Sequence, residues 1–242
     1  MDTVDPQPSL PKVARSIDLS FPVRDHFRWP VETDLIHDLS AGDVFQTTRI
    51  RTICHAFTHA DAPLHVDASG ADIASMDVAT WVGEAAVLDL SDVEENAAIT
   101  EDLLDARGDH VGQGDIVLLR TDWDVRQDIA QRSFWEESPY LTRGAANWLA
   151  DREIVCAGFD FPQDHAIRGV ALGGAQARAK DFVTHDVLLR RGVGLLEYLA
   201  GLRGIRGPRT FLVALPLRLA GVDGSPVRAV ALEFETSTSL PS

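Results

Sequence analysis

Hydrophobic and polar residues alternate along several short segments of the chain, a pattern typical of β-strands. The first alternation runs from Ser16 to Phe21, after a start that contains Pro6, Pro8 and Pro11. Further strands are predicted at 45–54, 84–90, 115–120, 154–159, 210–217 and 227–234. Several of these segments are dense in Val, Ile and Leu, which indicates strands that are covered on both faces.

Three segments between the strands have helical spacing: 100–107, 142–152 and 184–190. Each opens with a threonine (Thr100, Thr142, Thr184) suited to capping the first turn. Gly192 and Gly194 are expected to end the third helix before an extended segment at 195–197. The mixture predicts an α/β fold in a single domain over 13–242, with residues 1–12 as a disordered arm.

The last two predicted strands are joined by residues 220–226, a cluster of turn-forming residues. The Asp223-Gly224 step within it favours a tight reversal. A C-terminal hairpin is therefore expected.

Composition narrows the class of protein. The 242 residues are 45% hydrophobic, enough to bury one sizeable core, and the net charge is −15. Such an acidic chain repels nucleic acid and anionic membrane surfaces, so neither is expected as a partner. Cys54 and Cys156 lack the spacing of a zinc ribbon or redox motif and are expected to be buried, reduced thiols. Because no signal peptide or apolar span of about 18 residues is found, a cytoplasmic location is expected.

Three histidines and an aspartate fall at 55, 59, 61 and 65, and this cluster is the strongest chemical signal. The even offsets would place all four on one face of a strand, whereas a helix would rotate Asp61 and His65 to about 240° and 280° from His55. A straight strand over 55–65 would span about 33 Å, too long for one ion. Pro63 supplies a reason for a bend, because it forces Ala62 into an extended conformation and removes an amide donor.

Imidazoles with a carboxylate suit Zn²⁺, Mn²⁺ or Fe²⁺, and Asp61 could bridge two ions through its two oxygens. The plainer alternative is that the histidines are buried and hydrogen-bonded while Asp61 caps a turn. His185 is the best placed of the remaining histidines. Glu197 lies twelve residues later, about 18 Å away along an unbroken helix. Only a chain reversal at Gly192 and Gly194 would bring His185 and Glu197 together. A Glu197 side chain exposed to solvent is an equally supported alternative.

Residues 55–65 resemble the signature H-x-G-T-H-x-D-x-P-x-H of the metal-dependent cyclase family, which includes bacterial kynurenine formamidase and isatin hydrolase. Segments 114–121, 185–189 and 224–228 are also similar and occur in the family's order, so the resemblance covers most of the chain from about Asp18. It implies a swivelling β/α/β fold with a mixed sheet. It also implies assembly into homodimers or homotetramers.

The resemblance further implies a role for each matching residue. His55, His59 and Asp61 would hold one metal ion, and Asp61, His185 and Glu197 would hold a second. His65 would donate and accept the proton. Trp29 resembles a tryptophan that lines the family's substrate pocket, although an ordinary core or surface tryptophan is the alternative.

Two positions depart from the family. Phe57 replaces the signature glycine and is expected to narrow or reshape the substrate pocket. After Asp160 the chain reads Phe-Pro-Gln-Asp, where many relatives carry a serine near Pro162. Both changes weaken any assignment of N-formylkynurenine as substrate.

The predicted function is metal-dependent hydrolysis of an amide or ester bond, open or cyclic, in a small molecule. Metal-activated water would attack, and His65 would accept and then return a proton, as in an arylformamidase. The cofactor is expected to be Zn²⁺, with Mn²⁺ as the alternative, at one or two ions per chain. Two other functions remain open: a cyclase or dehydratase acting through a metal-stabilised enolate, and a non-catalytic metal or small-molecule binding protein.

Overall fold

Thirteen strands and six α-helices form within residues 11–171, 173 and 176–235, the part of the chain that the computed structural model describes. The strands are β1 Val13–Asp18, β2 Glu32–His37, β3 Thr47–Arg51, β4 His59–Asp61, β5 Val82–Asp89, β6 Ala98–Ile99, β7 Ile116–Arg120, β8 Tyr140–Leu141, β9 Cys156–Phe159, β10 Gly194–Glu197, β11 Arg209–Val213, β12 Gly224–Pro226 and β13 Val230–Phe234. The helices are α1 Glu101–Arg107, α2 Trp123–Arg126, α3 Ser133–Glu136, α4 Arg143–Asp151, α5 Ile167–Ala171 and α6 Val183–Leu188.

Nine of the strands form one mixed sheet in the order β1-β13-β11-β5-β7-β9-β10-β4-β12. Strands β5, β7, β9 and β10 run parallel in its centre. The strands on both sides of this centre pair antiparallel. The α/β class, the mixed sheet and the single-domain architecture are therefore confirmed.

The central strands are buried on both faces, as their hydrophobic density predicts. In β5, Ala86 and Leu88 join the core cluster that contains the helices, while Ala85 and Val87 join a second cluster on the opposite face. That second cluster also contains Ala60 of β4 and Ala231 of β13, which lie far apart in the strand order. The sheet must curl to bring them into one core.

Two of the three predicted threonine caps form. The side chains of Thr100 and Thr142 each accept a hydrogen bond from a backbone amide three residues on. The prediction for Thr184 was wrong, because α6 begins one residue earlier and Phe182 occupies the cap position. The Thr184 hydroxyl instead donates to the buried carboxylate of Asp164, at 2.5 Å.

The predicted strand at 45–54 forms as β3, but it lies outside the main sheet. It pairs only with β2, and every residue of both strands is exposed. We call residues 32–51 the arm. At its tip Val44 and Phe45 are 80% and 73% exposed, so the arm lies outside the hydrophobic core.

The C-terminal hairpin also differs from its prediction. β11 and β13 are antiparallel neighbours, as expected. However, Asp223-Gly224 is not the reversal between them, because Gly224–Pro226 forms β12 at the far edge of the sheet and pairs with β4. Pairing with β4 and side-chain bonds to Asp223, described below, outweigh the local turn preference of this segment.

The ends of the domain agree in part with the predictions. β1 starts at Val13, three residues before the predicted alternation, and Lys12 already accepts a backbone hydrogen bond from Glu235. Most of the N-terminal segment predicted to be disordered (residues 1–12) lies outside the described residues, which begin at residue 11. Both cysteines are free; Cys156 is buried as expected, whereas Cys54 is only half-buried. Among the described residues, no helix is long and apolar enough to cross a membrane.

Candidate metal centre

The short strand β4 carries two of the predicted metal-binding side chains. His59 and Asp61 point to the same side of the strand and are almost completely buried. The chain then bends as predicted: Ala62 is extended and Pro63 opens a 3₁₀ turn that ends at His65. This bend returns His65 towards the other histidines, where its ring stacks on that of His55 at 4.0 Å.

The first three predicted ligands converge. His55 Nδ1 lies 2.7 Å from Asp61 Oδ1, and His59 Nε2 lies 3.1 Å from the same oxygen. His59 Nδ1 donates to the Phe57 carbonyl at 2.7 Å. That bond fixes the tautomer and leaves Nε2 as an acceptor, the form in which histidine binds a metal.

The second predicted group also reaches Asp61. Gly192, at φ 80°, ends the helical segment in the left-handed conformation, and β10 carries Glu197 back to the cluster. His185 Nε2 then lies 3.2 Å from Glu197 Oε1 and 3.6 Å from Asp61 Oδ2. Glu197 is 7% exposed and its Oε2 lies 3.5 Å from His59 Nε2, so the alternative of a solvated glutamate is wrong.

The carboxylates make this cluster strongly attractive to positive charge. Burial alone would raise the pKa of Asp61, yet His59 and His55 hold that pKa well below its usual range. Burial opposes charge on the histidines too, but Asp61 and Asp223 raise the pKa of His55 to about 9. Glu197 and Asp164 likewise raise the pKa of His185 to about 10 against the effect of burial. The buried acids therefore need cationic partners at this point.

A divalent cation fits the arrangement of these side chains. His59 Nε2 and Asp61 Oδ2 are both buried and have no hydrogen-bond partner, although both face other polar groups. Buried polar atoms without partners are rare, and here they are metal-binding atoms that converge. One oxygen of Asp61 faces His55 and His59 while the other faces His185, which is the arrangement of a bridging carboxylate.

Sequence reasoning missed Asp223. Its Oδ2 lies 2.8 Å from His55 Nε2 and 2.9 Å from His65 Nδ1, so one carboxylate oxygen joins a candidate ligand and the candidate acid–base. Carboxylates that bond the outer nitrogen of a ligating histidine orient the ring and make it more basic. The adjacent segment 224–228 belongs to the family resemblance and is the signal that could identify Asp223. The turn-forming composition of residues 220–226 does not indicate a role at the metal site.

Two other residues in contact with the ligand candidates were also missed. Asp164 Oδ2 accepts from His185 Nδ1 at 2.6 Å and so directs Nε2 towards Asp61. Gln163 follows Pro162 in the Phe-Pro-Gln-Asp stretch, and its amide donates to Glu197 Oε1. Gln163 therefore helps to orient a ligand candidate.

The cluster forms part of the wall of a cavity of about 500 Å³, a size that suits a small organic molecule. Arg28, Phe182 and Tyr198 also line it. Trp29 and Phe57, predicted to contact substrate, are 1% and 0% exposed, and they pack against each other outside the set of lining residues. A molecule in this cavity would meet Arg28 and Tyr198 before either ring.

Phe57 adopts φ 56°, the conformation that a glycine adopts without strain. The backbone is therefore left-handed at this position although the residue is not glycine, and the ring goes into the core. Phe57 does not line the cavity itself; its ring packs against His26 and Trp29, so the expected reshaping would act through neighbouring side chains.

A protein-family comparison matches residues 17–164 to the Cyclase family, described as putative cyclase. The chain is 29% identical over 225 residues to kynurenine formamidase of Bacillus cereus, covering 90% of this chain and 98% of that protein.

Solved structures give the same result. A potential metal-dependent hydrolase with cyclase activity superposes with a TM-score of 0.70 at 28% identity, covering 92% of this chain and 99% of that one. An isatin hydrolase bound to the product analogue thioisatinate superposes with a TM-score of 0.74 at 25% identity, covering 91% and 92%.

Proposed function

The chain belongs to the Cyclase family, and on that premise we propose that it is a metal-dependent hydrolase that cleaves an amide or ester bond, open or cyclic, in a small molecule. The relatives named above include a formamidase and an isatin hydrolase, and both names describe hydrolysis of a small nitrogen-containing molecule. An arylformamide or a cyclic aryl amide is the substrate that we would test first.

The observation that carries this proposal is the position of Asp61. Its two oxygens face two different groups of side chains at the base of the cavity, and one of them has no hydrogen-bond partner. We assign His55, His59 and Asp61 to one ion, and Asp61, His185 and Glu197 to a second. Zn²⁺ suits this mixture of imidazole and carboxylate best, with Mn²⁺ as the alternative.

A divalent cation held here supplies Lewis acidity, which polarises a carbonyl and makes water a stronger acid. The chain's own residues provide the proton transfer. Asp223 holds His65 at Nδ1, and Nε2 of His65 has no hydrogen bond to the described residues, so this nitrogen remains for the reaction. His65 takes a proton from the attacking water at Nε2 and returns it to the leaving nitrogen or oxygen.

The metal content tests the site. Protein purified without chelators or a metal-affinity tag is expected to hold close to two ions per chain by mass spectrometry. The Asp61→Ala variant should lose both, while Asp109→Ala, which removes a carboxylate that is 96% exposed, should lose neither. One ion in the wild type would reduce the proposal to a single-metal hydrolase. No ion after reconstitution with Zn²⁺ or Mn²⁺ would refute it.

Turnover tests the chemistry. His65→Ala should retain its metal and lose hydrolysis of aryl formamides and cyclic amides, whereas full activity would remove His65 from the mechanism. Reaction in ¹⁸O-labelled water separates the competing functions. Label in the product indicates hydrolysis, and an unlabelled isomer indicates a cyclase.

We also propose that the protein works in the cytoplasm as a homodimer or homotetramer. The arm supports self-association, because its apolar side chains have no partner among the described residues. Light scattering on the wild type and on Phe45→Ser with Ile50→Ser tests this. A wild-type protein that is monomeric at micromolar concentration would contradict it.

A further inference from the structure

Arg28 is the one lysine or arginine among the described residues that line the cavity. The carboxylates around it, Asp61, Asp164 and Glu197, are already bonded to histidine, threonine or glutamine side chains. A guanidinium in the wall of this otherwise acidic cavity has no part in holding cations. Its presence needs another explanation.

The guanidinium group of Arg28 lacks a counter-charge. Its Nη1 atom is buried without a hydrogen-bond partner, and no carboxylate of the described residues forms an ion pair with it. Its neighbours are aromatic: the guanidinium carbon lies 5.4 Å from the ring centres of both Trp29 and Trp135. Cation–π contacts offset only part of the cost of withdrawing this N–H group from water, so an anion that accepts from Nη1 would be bound favourably here.

Tyr198, the other polar group on this side of the cavity, does not supply that anion. Burial raises the pKa of its phenol to about 12, against the opposing effect of Arg28, so the phenol stays neutral. The backbone of Arg28 is nonetheless held in place, because its amide donates to His26 Nδ1 and the next residue, Trp29, is anchored in the core. The guanidinium of a side chain placed in this way offers paired N–H donors that match the two oxygens of a carboxylate.

We propose that Arg28 binds a carboxylate group of the substrate and that the enzyme selects amides or esters that carry one. The proposal rests on the proposed hydrolase function and specifies its substrate class. The scissile carbonyl would lie at the histidine and carboxylate cluster, while the substrate carboxylate would lie against Arg28. A substrate without that group leaves the guanidinium unpaired and is expected to bind more weakly.

A matched pair of substrates tests the selection. N-formylanthranilate and formanilide are both aryl formamides, and only the first carries a carboxylate. In Arg28→Met the kcat/KM for N-formylanthranilate should fall about 10- to 100-fold, mainly through KM, while that for formanilide, which has no carboxylate to pair with the guanidinium, should not fall. Arg28→Lys should recover part of the loss. Arg24→Met, which removes an exposed arginine outside the cavity, should behave as the wild type for both substrates.

Binding of ligands that do not react separates this proposal from the proposed function. Calorimetry on the metal-loaded protein should show that benzoate binds about 10- to 100-fold more weakly to Arg28→Met than to the wild type, with benzamide unaffected. If the wild type hydrolyses neither these formamides nor a cyclic aryl amide or aryl ester, the proposed function fails, and the benzoate result still decides the role of Arg28.

Three results would overturn the role of Arg28. The first is equal benzoate affinity in wild type and Arg28→Met. The second is an equal loss of kcat/KM for both formamides, which would indicate a structural role. The third is a larger loss for phenyl phosphate than for benzoate, which would show that the site is built for a phosphate rather than a carboxylate.

Discussion

Replacing Asp223 offers the sharpest test of how the centre is organised. One oxygen of this carboxylate bonds to Nε2 of His55 and Nδ1 of His65, at 2.8 and 2.9 Å. Hydrogen bonds to a charged group are worth about 1.5–3 kcal/mol each. Because the Asp223 side chain is 40% exposed, solvent screens both bonds and the lower end of that range applies.

We therefore expect Asp223→Ala to weaken metal binding and kcat/KM by about 10- to 100-fold each, the range observed when such a carboxylate is removed. Asp223→Asn keeps an oxygen that can accept hydrogen bonds and loses only the charge, so its effects should be smaller. Metal affinity is measured by competition with a chromophoric chelator, and kcat/KM with the best formamide substrate.

A control separates the lost carboxylate from a loosened loop. Asp72 accepts a hydrogen bond from the Gly221 amide at 2.6 Å and so steadies the same loop without contacting the histidines. Asp72→Ala should leave metal affinity within about threefold of the wild type. If Asp223→Ala binds metal and turns over substrate as the wild type does, then the bonds to His55 and His65 do not organise the centre and the reasoning is refuted.

Three further changes test the surroundings of the centre. Phe57→Gly relieves about 1–2 kcal/mol of left-handed backbone strain but removes a fully buried ring that contributes about 3–5 kcal/mol to stability. The free energy of unfolding, measured in urea, should therefore fall by about 2 kcal/mol. An increase would contradict the packing argument. Gly224→Ala would put a methyl 2.7 Å from His55 Cε1 and should weaken metal binding at least tenfold, whereas Gly83→Ala, with open space around it, should not. Burial raises the pKa of Asp160 to about 7 from 3.8, so the folded state retains a proton that the unfolded state releases, and the free energy of unfolding should fall as pH rises from about 4 to 7. In Asp160→Asn that slope should shrink, because an amide side chain does not titrate in this range. The variant should still fold, since its amide oxygen can accept from the two backbone amides and its nitrogen can donate to the Thr121 hydroxyl; an unchanged slope would exclude Asp160 as its source.

The convergence of His55, His59 and Asp61 could be predicted because their spacing allows them to meet over a few residues of chain. Pairing His185 with Glu197 required a reversal at Gly192, which residue types suggest but do not determine. Local spacing left open whether Glu197 joins His185, and the family resemblance implied that it does. The match to the Cyclase family confirms that resemblance. The assignment of each side chain to a metal ion stays a prediction.

The errors have physical causes. Asp223-Gly224 has the composition of a tight turn, and only pairing with a strand about 160 positions earlier makes it an edge strand. The strand predicted at 45–54 does form as β3, but a local pattern does not determine which strand a segment pairs with, and β3 pairs with β2 instead of the main sheet. Asp223 bonds to His55 and His65, and Arg28 lies beside Trp135 as well as the adjacent Trp29. Contacts between residues this far apart in sequence leave no local pattern by which the two residues could be predicted.

The place of β4 in the sheet bears on how the protein is made. This strand carries His59 and Asp61 near the start of the chain, yet both of its neighbours, β10 and β12, lie beyond residue 193. A nascent chain leaves the ribosome from its N-terminus, so these two side chains emerge long before the strands that enclose them. The cluster that we propose to hold metal is therefore completed late in biosynthesis, and a chain cut short before Asp223 would expose His59 and Asp61 without the strand β12 that covers them.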